Sequence, residues 1–193
     1  MSVSRETLIH SFFPEKEKEI ERYAQFLTTA GIERGLIGPK EGEIIWERHI
    51  FNSLPVISLI PQGATVVDIG SGAGLPGIPI ALARPDLQIT LVEPLQRRYD
   101  FLVEAVEGLG ITVFHGQAQD YSVKTSIITA RAVAPLVKLV TMTRHLINKG
   151  GVLLAIKGES AAEEAKKVPG AELHEISLEH LPLGRVIRVA KRA

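Results

Sequence analysis

Val66-Val67-Asp68-Ile69-Gly70-Ser71-Gly72-Ala73-Gly74-Leu75-Pro76-Gly77 is the stretch that decides the fold. Residues 64–69 form a short apolar run rich in β-branched side chains, which predicts a strand. Residues 75–83 predict a helix. Between them stands a turn with glycine at every second position. A glycine turn that follows a strand and opens a helix is the context in which a nucleotide is held. Glycines permit the sharp turn and let a ligand approach the backbone with no Cβ in the way. Pro76 suits an early helical position, where no N–H is required.

Working outward toward the C-terminus, the pattern keeps alternating. Residues 87–93 predict a second strand, with Pro94 opening a helix that ends near 108–110. Residues 111–115 and 125–130 predict strands, and 135–147 a helix. Gly150-Gly151 turns into a strand over 152–156, and a polar helix over 159–168 stops before Pro169-Gly170. Two alternating runs, 172–178 and 185–191, are joined by Pro182-Leu183-Gly184 and should be antiparallel, because the connection is short. Strands separated by helices make a parallel sheet covered on both faces. Toward the N-terminus, Pro14 should open a helix carrying Ile20, Tyr23, Ala24, Leu27 and Ala30 at helical spacing, stopped by Gly31. A second helix is expected over 42–60, broken before Pro55.

Two glycine patterns overlap in the central turn. Gly70-x-Gly72-x-Gly74 has the methyltransferase form, and Gly72-x-Gly74-x-x-Gly77 the dinucleotide form. Glu93, at the end of the second strand, would accept hydrogen bonds from ribose hydroxyls in either case. Asp68 separates them. A carboxylate two residues before the first glycine suits a cationic ligand with an ammonium and a sulfonium, and it would repel a pyrophosphate. The balance favours S-adenosylmethionine over a dinucleotide. In sheets of this kind the adenine lies in the loop after the third strand, here Gly116-Gln117-Ala118-Gln119-Asp120. The floor of the site follows the fourth strand, where Arg131 stands at the ligand end of the sheet.

Composition sets limits. The chain of 193 residues has 22 Lys/Arg, 22 Asp/Glu and no cysteine. It has the size of one domain, with no apolar run of membrane-spanning length. The N-terminal residues run into a charged stretch unlike a signal peptide. Lack of cysteine excludes disulfides and thiolate metal sites, and it makes a cytoplasmic setting the expectation. The net charge is zero, yet residues 1–120 carry 10 Lys/Arg against 16 Asp/Glu and residues 121–193 carry 12 against 6. A basic C-terminal third fits a face that meets phosphates. Without a thiolate, pyrimidine C5 methylation by covalent attack is disfavoured. Ala130-Arg131-Ala132-Val133-Ala134-Pro135 lacks the Asn/Asp-Pro-Pro-aromatic motif of exocyclic amine methylation. The six histidines are scattered, so no metal is expected. The remaining acceptors need no covalent catalyst and little base assistance: guanine N7, or small-molecule amines and carboxylates.

Arg48-His49-Ile50-Phe51-Asn52-Ser53-Leu54, the run from Asp68 through Gly77-Ile78-Pro79, Ala130-Arg131-Ala132-Val133-Ala134 and Lys157-Gly158 together resemble the glucose-inhibited division protein B family. The resemblance covers roughly residues 40–160. It implies a class I methyltransferase (Rossmann-like) α/β sheet, mostly parallel with an antiparallel C-terminal strand, preceded by an N-terminal helical segment. It further implies S-adenosylmethionine-dependent methylation of guanine N7 in bacterial 16S rRNA, at guanosine 527 in the 530 loop. Cofactor contacts are expected at Asp68, Gly70, Gly72, Gly74, Leu75, Glu93, Ala118, Gln119 and Arg131. RNA contacts are expected at Arg48, His49, Arg131 and Lys157, with no residue acting as a general base. Asn52 and Gln119 stand where the family often has an acid. The expected organisation is one domain over 1–193, with 1–60 a helical extension and 61–193 the cofactor-binding core. It should act as a monomer on 16S rRNA or the 30S subunit. A small-molecule methyltransferase, or a non-catalytic RNA-binding module of the same fold, is the alternative.

Overall fold

The computed structural model describes residues 3–191; Met1 and Ser2 of the charged N-terminal stretch, and Arg192 and Ala193 of the basic tail, lie outside the described residues. Seven strands form one sheet: β1 (Thr65–Ile69), β2 (Gln88–Glu93), β3 (Thr112–His115), β4 (Thr125–Arg131), β5 (Ile147–Lys157), β6 (Ala171–Ile176) and β7 (Gly184–Ala190). Their order is β3-β2-β1-β4-β5-β7-β6. The first five are parallel, and β7 runs antiparallel to both β5 and β6. The chain builds outward from β1 to β3, then crosses over to β4. The carboxyl ends of β1 and β4 therefore flank the switch point, where sheets of this kind bind their ligands.

Helices cover both faces. They are α1 (Arg5–Phe12), α2 (Glu17–Phe26), α3 (Gly77–Ala83), α4 (Gln96–Ala105), α5 (Leu136–Thr143) and α6 (Ala161–Lys166). Successive strand residues point to opposite faces. Val66, Ile127 and Leu154 accordingly pack with α1–α4, while Val67, Ile128 and Leu153 pack with α5 and α6. The same parity puts Asp68, Thr129 and Arg131 on the face covered by the N-terminal helices.

The N-terminal segment departs from the expectation. Pro14 lies in the turn between α1 and α2 and opens neither; α1 is capped by Ser4, whose Oγ accepts from the Thr7 N–H at 3.2 Å. The expected helix over 42–60 is wound instead as a 3-10 turn (Pro39–Ile44), a π-helical turn (Ile45–Ile50) and two further 3-10 turns (Phe51–Ser53, Pro55–Leu59). Its buried residues explain the winding. Ile45 and Ile50, and Trp46 and Phe51, are five apart. A π turn brings such pairs onto one face, whereas an α-helix of 3.6 residues per turn splays them. The strand expected over 152–156 begins earlier, at Ile147, because Ile147 pairs with Thr125 across a register shift. Among the described residues no helix is long and apolar enough to cross a membrane.

Candidate active site

The turn after β1 is held from below by β2. Gly70 N–H and Ser71 N–H both donate to the Val92 carbonyl, at 2.8 and 3.2 Å. Gly70, Gly72 and Gly74 all have positive φ, at 65, 61 and 99°, the conformation a side chain disfavours. Gly77 is needed for a different reason: a Cβ there would lie 2.3 Å from Leu91 Cδ2 and 2.9 Å from Asp68 Oδ2, so α3 can pack on the sheet only without one.

Glu93 reaches from the end of β2 under this turn. Its Oε2 accepts from Gly72 N–H at 2.8 Å and its Oε1 from Leu95 N–H at 3.0 Å. Two backbone donors fix a buried carboxylate, and each oxygen keeps a lone pair for a ribose hydroxyl. Asp68 lies deeper. Its register partner on β4 is Thr129, whose hydroxyl donates to Oδ1 at 2.8 Å. Asp68 Oδ2 has no partner and is closed from solvent. Burial pushes its carboxyl up from 3.8 to about 6, against hydrogen bonds that favour the ionised form. A carboxylate closed off in this way could favour a cationic ligand only through its field, which is strong in a low-dielectric interior, and not by open contact. An orphaned carboxylate oxygen beneath a glycine cradle, with an anchored carboxylate beside it, fits S-adenosylmethionine.

The other expected cofactor residues are less uniform. Ala118 is buried and its carbonyl is 3.1 Å from His145 Nε2, while Gln119 is exposed. Asp120 ties the loop by accepting from Gln117 N–H at 2.8 Å. Leu75 is buried at the start of the turn into α3.

One strand across, the carboxyl ends of β4 and β5 open into a cleft of about 640 Å³. It brings together Arg48, His49, Arg131 and Lys157. Arg131 donates through Nη1 to the His49 carbonyl at 3.3 Å, and its Nη2 lies 3.1 Å from His49 Nδ1. Burial lowers the Arg131 pKa, opposed by Tyr23 and Asp68. Burial also lowers the His49 pKa below its ordinary 6.5. The imidazole is thus neutral near pH 7 and offers Nδ1 as an acceptor. Lys157 is engaged: its Nζ donates to the Ala134 carbonyl and to Glu164 Oε2, both at 2.8 Å. The same Glu164 oxygen accepts from Leu136 N–H at 2.7 Å, so Lys157 and Glu164 together hold the start of α5. Among the described residues no cluster of His, Asp and Glu could hold a metal ion.

Three residues at the site were not legible beforehand. Tyr23, counted only as a core position of α2, donates from its hydroxyl to the Ala73 carbonyl at 2.9 Å and so pins the N-terminal segment onto the glycine turn. Thr129 depends on strand register, and Glu41, which bonds His49, depends on tertiary packing. No local pattern signals any of them.

A parallel sheet extended by an antiparallel β7, with a glycine turn at its switch point answered by Glu93, defines a class I S-adenosylmethionine-dependent methyltransferase. The M. jannaschii TYW2 structure in complex with AdoMet has the same fold, with TM-score 0.55 and 18% identity over 77% of each chain. At the level of sequence, the family model for rRNA small subunit methyltransferase G (GidB) matches residues 16–183. Ribosomal RNA small subunit methyltransferase G of Streptomyces coelicolor is 45% identical over 193 residues, covering 92% of this chain and 81% of that protein. Its counterpart in Mycolicibacterium gilvum is 52% identical over 153 residues, covering 76% and 67%. The chain belongs to the rRNA small subunit methyltransferase G family.

Proposed function

We propose that this chain transfers a methyl group from S-adenosylmethionine to N7 of a guanine in 16S rRNA, at guanosine 527 of the 530 loop. Family membership supports an rRNA substrate. The observation that carries the chemistry is the adjacency of two sites: the glycine turn with Glu93 on one side of the switch point, and the Arg131 cleft on the other.

S-adenosylmethionine supplies, when bound, a methyl group on a sulfonium. Glu93 and the Gly70–Gly74 backbone would hold its nucleoside, and the Asp68 field would favour its positive charge. Guanine N7 carries an in-plane lone pair and no proton, so no general base is needed. No imidazole or carboxylate in the cleft has to serve as one. Arg131 offers donors to an RNA phosphate or to guanine O6. Rate then comes mainly from holding the reacting atoms at near-attack distance. A-form RNA hides N7 in a deep, narrow groove, so the target guanine must lie in a loop.

One chain supplies all these residues, so a monomer suffices. The N-terminal segment and the core work as one unit, since Tyr23 and His49 both reach the site. An rRNA substrate places the reaction in the cytoplasm, on the RNA or on 30S particles. The test is chemical cleavage at N7-methylguanosine in 16S RNA from cells with and without this chain. Cleavage at guanosine 527 only when it is present is the expected result. Identical cleavage patterns in both would overturn the assignment.

A further inference from the structure

Glu41 stands on the 3-10 turn Pro39–Ile44, an element with no buried residue, yet it reaches His49, which lines the cleft. Its Oε2 is hydrogen-bonded to His49 Nε2, and its Oε1 lies 3.2 Å from Arg48 Nη1. The other ring nitrogen, His49 Nδ1, faces Arg131 Nη2 at 3.1 Å. These contacts admit one proton assignment. A guanidinium has donors only, so Nδ1 must accept. The imidazole proton then sits on Nε2, where a carboxylate is waiting for it. An acid on the far nitrogen sets the tautomer, and the tautomer decides what the near nitrogen can do.

The His49 carbonyl accepts a second N–H from the same arginine, at 3.3 Å. Arg131 is thereby held at two points of its planar fork, and its remaining donors, which have no other partner among the described residues, can serve a ligand in the cleft it lines. If His49 lost Glu41, the proton could move to Nδ1 or a second proton could bind there. Either change sets an N–H against an N–H, and the fork would swing. His49 faces Glu41 and Arg48 from the N-terminal turns and Arg131 from β4; Lys157 and Glu164 in the same cleft are paired with each other.

We propose that Glu41 is a positioning residue for RNA methylation, acting through His49 to hold the Arg131 guanidinium in a fixed orientation at the mouth of the cleft. This rests on the reading of that cleft as the RNA site. A pre-oriented fork binds an anionic or carbonyl oxygen without first losing its rotamer freedom. Glu41 itself need not touch RNA.

The test uses the full chain, 30S particles lacking the methyl mark, and saturating S-adenosylmethionine. Glu41→Ala should lower the methylation rate about tenfold or more, the size expected when a hydrogen bond to a charged group is lost. Its affinity for S-adenosylmethionine and its melting temperature should stay at the wild-type values. Glu41→Gln should recover most of the rate, because its amide oxygen still accepts the Nε2 proton. In an Arg131→Ala background, Glu41→Ala should change nothing further, since the two act as a unit. Equal losses in the wild-type and Arg131→Ala backgrounds would overturn the proposal, as would a wild-type rate for Glu41→Ala. A wild-type rate for Arg131→Ala alone would instead remove the reading of the cleft, and this proposal with it.

Discussion

Glu93 shows how much of the site rests on single carboxylates. Its two backbone partners fix the oxygens before any ligand arrives, so little ordering is left to be done on binding. Glu93→Ala should weaken S-adenosylmethionine binding about tenfold or more, since each lost charge-assisted bond is worth roughly 1.5–3 kcal/mol. Calorimetric titration measures this, and unchanged affinity would mean that the ligand lies elsewhere. Asp68 makes a pH prediction. Its carboxyl is raised from 3.8 to about 6 by burial, so the ionised form is the one that folding penalises. The stability contributed by protonated Asp68 is fully present below pH 3.8 and is lost as pH rises through about 6. The loss amounts to about 3 kcal/mol by the usual conversion of a pKa shift. A cationic ligand reverses the preference. S-adenosylmethionine affinity should therefore rise as pH climbs through that range, with a proton released on binding. Asp68→Asn should flatten the dependence. A wild-type affinity independent of pH between 5 and 8 would show that Asp68 does not feel the ligand.

At the scale of elements, the decisive contact is between α2 and the glycine turn. Tyr23 is buried, burial pushes its phenol well above its ordinary pKa, and its hydroxyl serves as the donor to the Ala73 carbonyl. Tyr23→Phe removes that donor and leaves a buried carbonyl unsatisfied, at a cost of about 1–3 kcal/mol. The melting temperature should fall by roughly 2–4 °C for each kcal/mol in a chain of this size. Cofactor affinity should drop as well, because the turn loses the hydrogen bond that pins it. A destabilised variant with normal affinity would make Tyr23 a core residue only. The π-helical turn Ile45–Ile50 is the other element with a consequence at the site. It delivers His49 to Arg131 while turning Ile45, Trp46 and Ile50 inward. The Trp46 and Phe51 rings meet at 5.5 Å as a result.

Across the whole molecule the charge is divided. Residues 1–120 carry an acidic excess and residues 121–193 a basic one. Lys124, Arg144, Lys149 and Lys167 are exposed and, among the described residues, form no ion pair. They stand at the starts of β4 and β5 and the ends of α5 and α6, the edge of the sheet away from the cofactor crevice. Arg48 and Arg131 stand at the crevice itself. RNA binding at the crevice should therefore weaken with salt, by about 0.7–0.9 in the logarithmic slope for each phosphate contacted. Filter binding or fluorescence titration over low to moderate ionic strength reads the slope. A flat response would favour a small-molecule acceptor.

The sequence by itself determined the order of elements from β1 onward, the glycine turn and the two acids around it. These are local: β-branched runs, glycines and prolines constrain φ and ψ wherever they stand, and a strand–turn–helix of this composition has few other folds open to it. Glu93 could be read because it ends a strand, and Arg131 because it follows one. Tertiary structure decided the rest. Thr129 meets Asp68 only because β1 and β4 pair in one register. Lys157, readable as a cation for phosphate, is held by Glu164 across a connection whose course no local pattern reveals. The segment over 42–60 reads as a helix broken before Pro55, but it is wound to suit residues it packs against from elsewhere in the chain. The Glu41–His49–Arg131 chain joins positions up to 90 residues apart through two hydrogen-bonded contacts. Such contacts depend on where packing brings the backbone, and packing is a property of the whole chain.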